Sequence, residues 1–303
     1  MAAFYSGHAP MLDTLVLVLI KTFGRLPMNW ARALGTCFGH LALVFNVDMV
    51  RVTRRNIACC LGNLSALEQE QLVRASVLET ARLAFESAVI WCGDETLLNN
   101  QIKAVHGLEY VEQVRATGKG LIILGPHLGN WEVLGRYLDR LGDVTVMFQP
   151  QKLPKLGEFI KAGRRRFNAT LVATDRRGLA QMLSTLKKGG ITGILPDQTP
   201  KELNGGIVAP FFGHPAFTMT LVYRLMQSTG CGAVFGYARR VKNGFEITFT
   251  PAPDKLFSEH MEEAVAALNQ GVSDAVLQVP EQYQWEYKRF KHNGDKQFYD
   301  GLV

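Results

Sequence analysis

Residues 121–132 read Leu-Ile-Ile-Leu-Gly-Pro-His-Leu-Gly-Asn-Trp-Glu, and the fold turns on how that stretch is parsed. Its first half, LIILGP, is a nearly continuous apolar run, as expected of a strand buried on both faces. NWEVLGRYLDRLG follows with the periodicity of a helix. The alternation then repeats. VTVMFQP (144–150), ATLVAT (169–174) and ITGILPD (191–197) read as strands, separated by helices over 156–167 and 179–187. Strands alternating with helices predict an α/β domain with a mostly parallel central sheet flanked by helices. AVFGYARRV and GFEITFTP predict a hairpin near one edge, turning at Lys242-Asn243-Gly244, and 259–277 a last helix.

Upstream, residues 46–115 read as helical. Ser65 followed by Glu68 is a capping box opening a long helix that ends near Trp91. The most lipophilic start, MLDTLVLVLI (11–20), contains Asp13 and stops at Lys21. It is about half of the roughly 20 apolar residues that cross a bilayer. It also lacks the basic flank of a signal peptide. A second apolar stretch over 31–45 is interrupted by Gly35, Gly39 and His40. Residues 1–45 therefore form a helical segment that lies on a membrane or packs on the domain. Arg25, Arg32, Arg51, Arg54 and Arg55 stand nearby to meet anionic headgroups. Residues 46–303 form the single α/β domain.

Across 303 residues, 33 basic and 27 acidic side chains leave a net charge of +6, and 47% apolar content excludes disorder as the main state. The charge favours acidic partners. No nucleic-acid-binding module accompanies it, so nucleic acid is not expected among them. Five cysteines at irregular spacing, two of them adjacent, fit a reducing compartment better than a disulfide framework. No paired Cys/His spacing points to a zinc site.

The sharpest chemical feature is His127, just past a buried strand, with Glu132 five positions on. In an unbroken helix positions i and i+5 stand roughly 140° apart and do not meet. If Gly129 or Asn130 turns the chain into a helix, Glu132 falls in its first turn and reaches back to the imidazole. A carboxylate on one ring nitrogen leaves the other as a general base. Chance alone gives fewer than one His-x4-acid match in such a composition. The second match here, His8 with Asp13, has no strand before it and is read as a decoy. ITGILPDQ brings Asp197 and Gln198 to the end of another strand, at the same sheet edge if the two strands run the same way. NGGIVAPFFGHPAFT (204–218) is read as a loop offering Phe211 and Phe212 as an apolar wall and Thr218 as a headgroup contact or helix cap. Arg164 and Arg166 close a helix, either as a solvated end or as an anion-recognising pair.

Taken in order, these motifs resemble the bacterial lipid A late acyltransferases, the Kdo2-lipid IVA lauroyl/myristoyl transferase family, and more widely the lysophospholipid and glycerolipid acyltransferases with a His-x4-Asp/Glu signature. The resemblance runs from Arg55-Asn56-Ile57, through His127–Glu132, Gly163-Arg164-x-Arg166, Pro196-Asp197-Gln198 and Pro210-Phe211-Phe212-Gly213 with Thr218, to Pro280-Glu281-Gln282-Tyr283-x-Trp285 and Lys288-Arg289-Phe290-Lys291. It departs from the family in a shorter N-terminal apolar segment and in Glu286-Tyr287-Lys288, where relatives are more uniformly basic. It implies a glycerol-3-phosphate acyltransferase-like fold at the cytoplasmic face of the bacterial inner membrane, held there as a peripheral or monotopic protein. The implied reaction moves a fatty acyl chain from an acyl carrier protein or acyl-CoA thioester to a hydroxyl of a lipid A precursor. His127 is its base and Glu132 its orienting carboxylate, with no metal or other cofactor. Asn130, Arg164, Arg166, Asp197, Gln198, Phe211, Phe212 and Thr218 are implied on the substrate side, with Phe211, Phe212, Met182 or Met219 as candidates to cap an acyl tunnel. Another lysolipid or glycolipid acceptor, a non-catalytic lipid-binding relative and a thioesterase side activity remain as alternatives. Chain length, the acceptor hydroxyl and oligomeric state stay open at this level.

Overall fold

The computed structural model describes residues 9–149, 152–165, 169–291 and 298–301. His8 and Arg166 lie outside the described residues. The apolar run at 121–124 is β2 (Leu121–Leu124), all four residues buried. It pairs in parallel on both sides, with β5 (Ile191–Ile194) and with β8 (Gly232–Val241). β3 (Val144–Phe148) adds beside β5, and β4 (Thr170–Ala173) beside β3, both parallel. β9 (Gly244–Pro251) returns antiparallel to β8, with residues 242–243 as its turn. The hairpin lies near one edge, as expected. β1 (Ile102–His106) lies outside it, parallel to β9, and the seven-stranded order is β1-β9-β8-β2-β5-β3-β4.

Side chains on a strand alternate between faces, and β2 shows why a continuous apolar run was needed. Leu121 and Ile123 join one core with α7 (Trp131–Leu138) and α6 (Leu108–Ala116). Ile122 and Leu124 join a second core with α9 (Arg176–Lys187), α10 (Leu221–Thr229) and α11 (Met261–Gln278). The reading of 204–218 as a loop is corrected. It forms a separate hairpin, β6 (Gly206–Phe211) with β7 (His214–Met219). Its two-residue turn has positive φ at both Phe212 and Gly213, as a tight hairpin of matching twist requires.

The helical N-terminal third consists of α1 (Ala9–Phe23), α2 (Met28–Val44), α3 (Asp48–Cys60), α4 (Ala66–Cys92) and the short α5 (Glu95–Gln101). α4 opens on the expected capping box: the Ser65 hydroxyl accepts from the Glu68 amide, and the Glu68 carboxylate accepts from the Ser65 amide at 2.8 Å. α2 packs so closely on α4 that a Cβ on Gly35 would stand 2.6 Å from the Arg82 Cα. Asp13, half of the decoy pair, is buried and caps α8 (Pro154–Arg165), accepting from the amides of Lys155 at 2.8 Å and Leu156 at 3.1 Å. No single described helix is long and apolar enough to cross a membrane. α2 and α3 meet the length and composition for one only together, and they are bent by 81°.

Candidate active site

The loop after β2 is secured at almost every backbone group. The His127 amide donates to Asp197 Oδ2 at 2.9 Å, and its carbonyl accepts from the Gln284 amide at 3.0 Å. The Gly129 amide donates to the Gln282 carbonyl at 2.9 Å, and the Asn130 amide to the Ala238 carbonyl at 2.8 Å. Gly129 has φ +63°, and a Cβ there would stand 2.1 Å from the Ala238 carbonyl oxygen, so only glycine fits. Asn130, expected on the substrate side, is fully buried. Its side chain caps α7 through the Val133 amide and donates to Glu86 at 3.0 Å, so it shapes the loop rather than meeting a ligand.

The carboxylate on the imidazole is Asp197, not Glu132. Asp197 Oδ1 lies 2.8 Å from His127 Nδ1. Leu124 of β2 and Ile194 of β5 are register partners, and His127 and Asp197 each stand three residues further along parallel strands. The two side chains therefore arrive at one point on the sheet edge. Asp197, assigned from sequence to the acceptor side, is instead completely enclosed at the ring. Burial pushes its carboxyl up. The charge and hydrogen bonds of His127 outweigh that and leave it below the usual carboxylate range. An ionised Asp197 requires Nδ1 to carry a proton, and in the neutral ring Nε2 then presents a lone pair. Nε2 meets the Gln198 amide nitrogen at 3.1 Å, and that same nitrogen donates to Gln284 Oε1 at 3.2 Å. The Trp131 ring stands edge-on to the imidazole at 4.8 Å.

Glu132 does fall in the first turn of α7, as its spacing predicts, but its carboxylate is taken by a forked pair of bonds from Arg164 at the end of α8. Burial lowers the Arg164 pKa and Glu132 raises it more, so the guanidinium stays charged. Beside this pair, a cleft of about 740 Å³ runs between α7 and the ends of β3, β4 and β5, with Leu134, Gly135, Val146 and Leu171 in its apolar lining. A second cleft of about 1030 Å³ opens between α1 and α4. Trp131 and Glu132 line both.

Phe211, Phe212 and Thr218 are not brought to this site. Phe211 is 1% exposed, packed edge-on to Phe212 at 4.9 Å and near Tyr283 and Phe290, while Phe212 stacks towards Trp285. Thr218 is buried in β7, where its hydroxyl accepts from Asn269 and Arg289, both at 2.8 Å. Met182 is likewise sealed in the core, and Met219 packs against it. Neither these nor Phe211 and Phe212 line the two clefts or the small hollow that contains His127. Among the described residues, no group of three or more His, Cys, Asp and Glu is arranged to hold a metal ion.

Two roles went unread in the sequence. The C-terminal motif lays Gln282 and Gln284 against the His127 loop, and buried Asn56 holds it there by donating to the carbonyls of Trp285 at 2.7 Å and Tyr287 at 2.8 Å. Behind the loop, fully buried Glu86 accepts from Arg32 and Arg240, each at 2.6 Å, tying α2 and β8 to α4. Arg240 also pairs with Glu79.

This arrangement sits in a chain whose relatives are informative. Residues 8–292 match the family model described as bacterial lipid A biosynthesis acyltransferase. The lipid A biosynthesis lauroyltransferase of Escherichia coli is 24% identical over 269 residues, covering 88% of this chain and 87% of the relative. The lipid A biosynthesis palmitoleoyltransferase of the same organism is 24% identical over 271 residues, with the same coverage. A lipid A biosynthesis acyltransferase of Haemophilus influenzae is 24% identical over 233 residues, 76% of this chain and 72% of that protein. With a family match spanning nearly its whole length, the chain belongs to the bacterial lipid A biosynthesis acyltransferases.

Proposed function

We propose that this chain transfers a fatty acyl group from an acyl carrier protein or coenzyme A thioester to a hydroxyl of a lipid A precursor. The observation that carries the mechanism is the chain of contacts Asp197–His127–Gln198, which leaves Nε2 as an acceptor beside a small hollow whose Trp131 wall also borders both apolar clefts. The acceptor hydroxyl takes the place of the Gln198 amide on Nε2. As Nε2 removes its proton, the oxygen attacks the thioester carbonyl. The C–O bond forms, the C–S bond breaks, and the imidazolium returns the proton to the departing thiolate. Asp197 stabilises the imidazolium without being protonated itself. Arg164, held by Glu132 beside the α7 cleft, is the charged donor assigned here to the developing oxyanion. Glu132 thus acts by positioning Arg164 rather than the ring.

The acyl chain of the donor is assigned to the cleft along α7, whose lining beyond Glu132 and Arg164 is mostly apolar. Exposed apolar side chains on α1 (Met11, Leu12, Leu15, Val18) and α2 (Trp30, Phe38) support a peripheral seat on a membrane, assigned here to the cytoplasmic face of the inner membrane. The net charge of +6 suits both an acidic carrier protein and anionic lipid.

The test is a purified-protein assay with an acyl carrier protein thioester and a lipid A precursor, followed by mass spectrometry of the lipid. Gain of one acyl chain by the precursor supports the reading. A folded protein that leaves both substrates unchanged, or a His127→Ala variant that turns over normally, removes it.

A further inference from the structure

The cleft between α1 and α4 is not needed by a single donor chain, yet it is the one that reaches the base. Ile20 and Phe23 of α1 face Leu83, Ala84, Phe85, Ala88 and Trp91 of α4 across it. Its room for an occupant, about 480 Å³, lies within the size range of small-molecule sites. Its polar groups gather where Thr80, Gln284 and Glu286 meet Trp131 and Glu132. A small hollow at that end contains His127 together with Thr80, Leu83, Trp131 and Gln284, and the last four also line the cleft. The cleft along α7 shares only Trp131 with the hollow. The outward side of the α1 wall is apolar and exposed: Leu15 is 56%, Val18 53% and Leu19 44% accessible. Apolar side chains thus cover the outer face of α1 and, with Ile20 and Phe23, line the cleft whose far end shares its walls with the hollow holding His127.

We propose that this cleft is a second acyl-chain site, occupied by a hydrocarbon chain already present on the acceptor lipid. The assignment rests on the acyl-transfer reading above. It adds that the enzyme recognises its acceptor by an existing chain and not by the headgroup alone. The geometry puts the two chains on either side of Trp131, with the acceptor hydroxyl between them at His127. Ala84 is exposed inside the cleft, so a larger side chain there fills it without entering the core.

The experiment uses hexadecanoic acid carrying a terminal diazirine as a photolabel on the full chain in detergent micelles, with adducts mapped by mass spectrometry. Adducts are expected on both α1–α4 peptides and α7-cleft peptides. Ala84→Phe and, from the opposite wall, Ile20→Trp should each remove the first set and spare the second. In the transfer assay both variants should raise the KM for the acylated acceptor at least tenfold, the change expected when about two methylenes lose their burial. The donor chain-length profile should not move. Retained α1–α4 adducts in both variants, or their absence from the wild-type chain, overturns the proposal. So does a shifted donor profile with an unchanged acceptor KM, because the cleft would then be the donor's. Photolabelling requires no turnover. Wild-type adducts absent from the α1–α4 peptides with intact transfer therefore sink only this assignment, whereas adducts present with no transfer sink the acyl-transfer reading and leave the cleft as a chain site without an acceptor role.

Discussion

Asp197 Oδ1 stands 2.8 Å from His127 Nδ1, and the two residues occupy equivalent places three positions past a register pair on adjacent parallel strands. Ligands gather at such carboxyl ends of open α/β sheets, and here the sheet itself assembles the base and its partner. Removing the charge while keeping the shape isolates that role. Asp197→Asn should lower kcat by roughly 10²–10⁴, comparable with His127→Ala, because an amide no longer enforces the tautomer with a free Nε2. Steady-state kinetics on the folded variant check this; a loss below threefold would show that the imidazole does not depend on Asp197.

Glu132 and Arg164 are expected to behave as one unit. Each single alanine variant should impair transfer, and the double variant should be little worse than either. A double-mutant cycle should give a coupling of about 0.5–3 kcal/mol. Additive losses would assign Glu132 a role independent of Arg164.

Gly135 lines the α7 cleft, and a Cβ built on it meets nothing within 4 Å. Gly135→Met should therefore narrow the cleft without straining the fold. The helix should even gain up to about 1 kcal/mol from losing an interior glycine. The ratio of kcat/KM for long over short acyl donors should fall, read from a series of chain lengths, while the melting temperature stays or rises.

Asp139 borders the same cleft, and burial pushes its carboxyl up to about 7, against the opposing pull of Arg136. A carboxyl that holds its proton more tightly folded than unfolded contributes stability at low pH. That contribution fades as pH rises from about 4 through 7. Asp139→Asn, which does not titrate, should gain on the wild type across that window and hold a constant lead above it. Melting temperatures at pH 5 and pH 8 measure the change, which partial solvent exposure will reduce. A gap that narrows with rising pH would contradict the shift.

Much of the scaffold was legible in local pattern. An apolar run without alternation marked β2, and a serine with a glutamate three residues on marked the start of α4. β1 escaped because it is short, carries Lys103 and finds its partner β9 some 140 residues later. No local periodicity announces such a pairing. The β6–β7 hairpin escaped because its glycines, prolines and paired phenylalanines read as a loop until Phe212 and Gly213 turn it.

By itself the sequence determined the alternating α/β order, the placement of His127 just beyond a buried strand, the arrival of Glu132 in the first turn of α7, and the family. These follow from spacing along one chain, where neighbours within a few residues decide the outcome. Only the tertiary structure decided which carboxylate holds the imidazole. Asp197 is 70 residues away, and parallel pairing of β2 with β5 brings it in, while Arg164 draws Glu132 aside. Likewise Asn56, Glu86 and Gln284 acquire meaning only once packing presses distant helices and the tail against the loop that carries the base.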